Sequence, residues 1–163
     1  MTTSLLTFEE FLMAAEEFVK KSDQIYDGWS LKEDKINAYK TYIRKDTFIQ
    51  CEDTLLKVEY VIFYHLSYGV PSFSFNVWNS SGTFLSLEDV RKMSFIEISE
   101  KEFYSVITQQ EHPIFQRPYF IMHPCHTETL LTTFKNNTRN IIVTFLSLIT
   151  PLLKLNLPLG YGL

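Results

Sequence analysis

The sequence predicts an α+β fold, with a leading helix, an antiparallel sheet and closing helices, and three observations carry that reading. Apolar residues recur at helical spacing near the start, extended segments joined by short loops follow, and helical patterning returns after a proline-rich stretch. One domain over residues 1–163 accounts for the length, because a chain of roughly 150 residues buries on the order of 70% of its extended surface and leaves no room for a second core.

Taken in order, Thr7-x-x-Glu10 reads as a capping box. Behind it Phe8, Phe11, Leu12, Ala15, Phe18 and Val19 mark one apolar face, with Glu9 and Glu10 early and Lys20 and Lys21 late, as the helix dipole favours. Extended segments are expected at Gln24 to Leu31, Ala38 to Phe48, Leu55 to Tyr64 and Phe73 to Trp78. The third sets Leu56, Val58, Tyr60, Ile62 and Tyr64 on one face and Lys57, Glu59 and His65 on the other, the alternation of a central strand. Asn79-Ser80-Ser81-Gly82 supplies turn chemistry, and the short spacings imply an antiparallel meander. The edge near Tyr39 to Phe48 is a place where a partner could add a strand.

Ser86-Leu87-Glu88-Asp89 starts a short helix, and Ser99-x-x-Glu102 a second one ahead of Phe103, Val106 and Ile107. Pro113, Pro118 and Pro124 then forbid a regular helix from His112 to Cys125. Thr127 is placed to cap a helix through Leu130, Leu131 and Phe134, and a last helix is expected from about Thr138 to Thr150, stopped by Pro151.

Composition narrows the function classes. The chain is 45% hydrophobic, 15% aromatic and 21% charged, which fits an ordinary folded protein rich in Phe and Tyr and excludes a disordered or fibrous one. A net charge of −4 leaves no surplus of Lys and Arg for phosphates, so proteins are better partners than nucleic acid or an anionic membrane. The first residues lack the basic and apolar regions of a secretory signal, and the apolar run from Ile141 to Leu155 is interrupted and too short to span a bilayer, so a cytoplasmic protein without an integral membrane segment is expected. Two cysteines, Cys51 and Cys125, are too few for a disulfide framework and are read as separate thiols.

Cys125 sits in His123-Pro124-Cys125-His126-Thr127, between a stiff extended segment and an expected helix start. Partial positive charge at a helix N-terminus and nearby imidazoles both favour a thiolate, and flanking rigidity favours positioning. The residues alone leave two readings open: a nucleophile, or a small core hydrophobe, which is what an isolated cysteine usually is. Cys51, beside Glu52 and Asp53, has the acidic surroundings of an unreactive thiol. The spacing of His123, Cys125 and His126 does not suit a tetrahedral metal site. A cysteine hydrolase would need its base from His65 or His112, yet His65 reads as a satisfied structural histidine and His112 as a residue that shapes a loop.

Thr108-Gln109-Gln110-Glu111-His112-Pro113, Pro118-Tyr119-Phe120, His123-Pro124-Cys125-His126-Thr127, Asn156-Leu157-Pro158-Leu159 and, less closely, Ser67-Tyr68-Gly69-Val70-Pro71 resemble the autophagy E2-like conjugating enzymes. The resemblance implies an E2-like fold with an N-terminal helix, a four-stranded antiparallel sheet and C-terminal helices. It implies an E2-like transferase in which Cys125 accepts autophagy-related protein twelve, a ubiquitin-like protein, as a thioester. The donor would be an E1-like activating enzyme, autophagy-related protein seven, and the acceptor a lysine of autophagy-related protein five. No bound cofactor is needed, since exchange between thioesters is nearly thermoneutral. Ordinary ubiquitin-conjugating enzymes place an asparagine after His-Pro; here Cys125 follows directly, so another group must stabilise the thioester oxygen. His123 is the nearest candidate and Tyr68 the second, each with the alternative of being a packing residue. The competing functions are a catalytically silent E2-variant binding module and a cysteine hydrolase.

Overall fold

Helix α1 (Phe8–Gln24) starts where its capping box puts it: the Thr7 hydroxyl accepts from the Glu10 N–H at 3.1 Å, and the Glu10 carboxylate accepts from the Thr7 N–H at 3.0 Å. The helix buries Phe11, Ala14, Ala15 and Phe18. Thr7→Ala removes the acceptor and is expected to cost about 1 kcal/mol, read as a lower urea midpoint at unchanged slope. The computed structural model describes residues 6–92, 100–124, 140–149 and 157–162.

Strands β1 (Ser30–Lys32), β2 (Tyr42–Cys51), β3 (Thr54–His65) and β4 (Val70–Trp78) form the expected antiparallel meander. After the short helices α2 (Leu87–Lys92) and α3 (Glu100–Val106), a hairpin of β5 (Ile107–Glu111) and β6 (Pro118–Met122) adds two more strands. Among the described residues the order across the sheet is β1-β2-β3-β4-β6-β5. β6 joins β4 through Ser74–Ile121 and Phe75–Phe120. Pro118 opens β6, where its missing N–H costs the ladder least.

The inner sheet face carries Leu56, Val58, Tyr60, Ile62, Phe73, Phe75, Val77 and Phe120 into one core with α1 and with helix α4 (Ile141–Ile149), which contributes Ile142, Phe145 and Leu146. Asn140 binds α4 to α1: its side-chain oxygen accepts from the Ile142 N–H at 2.9 Å, and its amide donates to the Ala14 carbonyl at 2.9 Å. No helix among the described residues is long and apolar enough to cross a membrane.

The outer face is covered as well. The β5–β6 loop folds back so that Ile114 and Phe115 pack on Val61, Phe63, Tyr119 and Ile121. Buried Glu59 on that face is paired with Arg44 at 3.0 Å and accepts a hydrogen bond from Tyr119. His112 holds the loop, as expected of it. It is fully buried, its Nδ1 accepts from the Ile114 N–H at 3.1 Å, and its Nε2 lies 3.1 Å from the Ser74 hydroxyl. With Nδ1 accepting, Nε2 carries the proton and Ser74 donates onward to the Val61 carbonyl.

Burial, and secondarily the Arg117 guanidinium, push the His112 pKa down to about 4. The unfolded chain binds this proton near the ordinary imidazole value and the folded chain only near 4, so the neutral ring's contribution is complete above about pH 6.5 and is lost as the pH falls from there. The loss amounts to about 3 kcal/mol by linkage. Urea midpoints measured from pH 7 down to pH 4 are expected to fall less steeply in His112→Gln, which cannot take up that proton.

Several elements differ from the sequence reading. α1 runs through Gln24, so the first extended segment shrinks to Ser30–Lys32. Ala38–Lys40 is a 3-10 turn, and β2 starts at Tyr42, where β1 covers its edge through Arg44; an added strand would find that side of β2 unoccupied only beyond Arg44 among the described residues. Ile107 leaves α3 to begin β5, which shows no apolar alternation because it is an edge strand carrying Gln109, Gln110 and Glu111 to solvent. The helix expected after Thr127 lies outside the described residues.

Candidate active site

The register fixes which groups meet. Ser74 opposite Ile121 in an antiparallel pair sends the end of β6 toward the start of β4, so His123 arrives beside the turn joining β3 to β4. That turn is closed by the Gly69 N–H donating to the His65 carbonyl at 2.8 Å, with Gly69 at φ +64°, a left-handed value glycine adopts without strain. The Gly69 carbonyl accepts from the Leu6 N–H at 2.9 Å, which ties the turn to the residues ahead of α1. Tyr68 is therefore a turn residue, half-buried at the rim of the core.

Tyr68 lies between two imidazoles. Its ring is edge-on to His65 at 5.1 Å and 77°, and edge-on to His123 at 6.3 Å and 77° between ring centres. His123 is half-buried, and its backbone N–H donates to the Val106 carbonyl at 2.7 Å, anchoring the end of β6 at the junction of α3 and β5. Pro124 is buried and already helical in geometry. Cys125 itself lies outside the described residues, two positions beyond His123.

Of the expected site residues, the structure thus brings His123 and Tyr68 together. His65 joins them, with its Nδ1 buried and facing no hydrogen-bond partner on another residue among the described residues. Burial holds the His65 imidazole below its ordinary pKa; its own backbone pulls the other way and the His123 ring adds to the lowering. The three-residue spacing of His65 and Tyr68 across a tight turn is the signal that could have linked them.

Cys51 ends β2, is buried and stands opposite Thr54, the first residue of β3. His65 is the last residue of β3, so the two lie roughly 35 Å apart at about 3.3 Å per residue. The incidental reading of Cys51 agrees with that placement. Among the described residues no three His, Cys, Asp or Glu side chains converge as a metal-ligand set.

A turn that holds a phenol ring against imidazoles can offer hydrogen-bond donors to an anion forming at the end of β6. Comparison with known proteins gives this end of the sheet a family context. Residues 42–160 match the family described as autophagocytosis associated protein, active-site domain. The ubiquitin-like-conjugating enzyme ATG10 of Homo sapiens is 35% identical over 121 residues, covering 66% of this chain and 53% of the human protein. The protein of the same name from Arabidopsis thaliana is 36% identical over 73 residues, covering 43% of this chain and 32% of that one. The chain thus spans about half the length of the human relative. Solution structures of KmAtg10 superpose with a TM-score of 0.55 at 18% identity, covering 94% of this chain and 98% of that one. The expected α+β, E2-like fold is therefore the fold of this chain, with the β5–β6 hairpin extending the four-stranded meander.

Proposed function

This chain belongs to the family of autophagocytosis-associated active-site domains, and on that premise we propose that it is a cytoplasmic E2-like transferase of ubiquitin-like protein conjugation in autophagy, with Cys125 as the cargo-bearing nucleophile. The observation that supports it most is the meeting of Tyr68 and His123 at the end of β6, with Cys125 following His123 by two positions in the chain.

In the first step the Cys125 thiolate attacks the C-terminal glycine carbonyl of autophagy-related protein twelve, held as a thioester on the activating enzyme, autophagy-related protein seven. The activating enzyme's sulfur leaves as thiolate. In the second step a lysine amine of autophagy-related protein five attacks the carbonyl on Cys125. The C–S bond breaks, an isopeptide bond forms, Cys125 departs as thiolate, and the amine releases its proton to solvent. Negative charge gathers on the carbonyl oxygen in both steps. His123 is the nearest donor for it and Tyr68 the second, in place of the asparagine that ordinary ubiquitin-conjugating enzymes use.

Incubation with the activating enzyme, ATP and the ubiquitin-like protein, followed by a gel without reductant, tests the reading. A slower band that disappears on adding thiol is expected. A protein that only docks ubiquitin-like partners would give no such band, and a hydrolase would release the cargo to water with no lysine acceptor present.

A further inference from the structure

We infer that His65 is a positioning residue for lysine transfer, its ring holding Tyr68 in the edge-on arrangement that turns the phenol toward the end of β6. The inference rests on the transferase reading and adds a residue to it.

Three features of the turn support it. Tyr68 sits on a short connection and not on a strand, so no ladder of backbone hydrogen bonds fixes its direction; ring contacts are left to do so. Of the two imidazoles beside it, His65 is the closer, at 5.1 Å against 6.3 Å for His123. The buried Nδ1 of His65 faces no hydrogen-bond partner on another residue among the described residues, so that atom does not tie the ring to a neighbouring element, while its edge-on contact with Tyr68 does. Burial lowers the pKa of this ring, its own backbone opposes the shift, and His123 nearby adds to the lowering.

The placement leads to a specific separation of effects. Loss of the His65 ring frees the Tyr68 ring to swing, so the step that depends on the phenol slows, while binding of the acceptor protein, which depends on surfaces elsewhere, changes little. An edge-on ring pair corresponds to about a fivefold to tenfold effect on a rate.

The experiment follows single-turnover discharge of the loaded full-length chain onto its lysine acceptor across acceptor concentrations. His65→Ala is expected to lower the limiting rate about fivefold to tenfold with the half-saturating acceptor concentration unchanged within about twofold. His65→Phe restores most of the rate, because it keeps a neutral ring. In a Tyr68→Ala background the further change His65→Ala has no effect, since the group it positions is gone. Equal losses for His65→Ala in both backgrounds, or no recovery with phenylalanine, overturn the inference, the latter pointing to proton transfer by the imidazole. Should His65→Ala fold poorly by thermal melting, the phenylalanine variant alone and in the Tyr68→Ala background decides the matter. Failure of the wild-type chain to form a thioester would instead remove the transferase reading itself.

Discussion

Cys125→Ala is expected to abolish the reductant-sensitive band and all conjugate to the lysine acceptor. Transthiolation needs a polarisable anion at the end of β6, and alanine has no atom that can bear the cargo. Cys51 cannot stand in, since it is 3% exposed and lies roughly 35 Å along β3 from His65 at about 3.3 Å per residue. Cys125→Ser tells loss of nucleophilicity from loss of fold. An oxygen at the same place accepts the cargo slowly, and the resulting oxyester resists thiol but yields to hydroxide. A gel with and without reductant reads both variants. Undiminished conjugate formation by the alanine variant would remove Cys125 from the chemistry.

His123→Ala should produce the next largest effect, a roughly 100-fold slower discharge to lysine, the loss usual when one preorganised donor to a developing oxyanion is removed. Tyr68→Phe, which keeps the ring and loses the hydroxyl, is expected to slow the same step about tenfold, as befits a second donor. The order matters more than the sizes. His123 lies on the strand that leads directly into Cys125, whereas Tyr68 reaches the same end from a turn. Both variants should melt near the wild-type temperature, since each residue is only half-buried. If Tyr68→Phe discharged more slowly than His123→Ala, the phenol would be the principal donor and the roles would exchange.

The long amphipathic helix, the meander and the last apolar helix were legible because their signals are local. Thr7 and Glu10 announce the start of α1, and Leu56 through Tyr64 announce the face of β3 that meets the helices. What escaped the sequence was set by distant partners. Gln109, Gln110 and Glu111 form a strand because Phe120, Tyr119 and Pro118 pair with them, and nothing in their own polarity says so. On the other face of β3, the sequence did not show what Glu59 would meet: it is buried, paired with Arg44 and bonded to Tyr119 of β6, sixty residues away in the chain.

The site divides in the same way. His123 and Cys125 stand out by adjacency to proline, and Tyr68 by the resemblance around it. The part played by His65 depends on a ring-to-ring approach that spacing alone does not reveal, and a histidine ending a strand has many ordinary reasons to be there.

The seam between β4 and β6, at Ser74–Ile121 and Phe75–Phe120, is short beside the long ladders of the meander. A sheet joined this way has a stable half and a lightly stitched half, and the chain leading to Cys125 leaves from the second. Backbone amides of β5 and β6 should therefore trade their hydrogens for deuterium as one group, sooner than those of β3. Small adjustments at the cargo-bearing end can then take place while the body of the sheet stays shut.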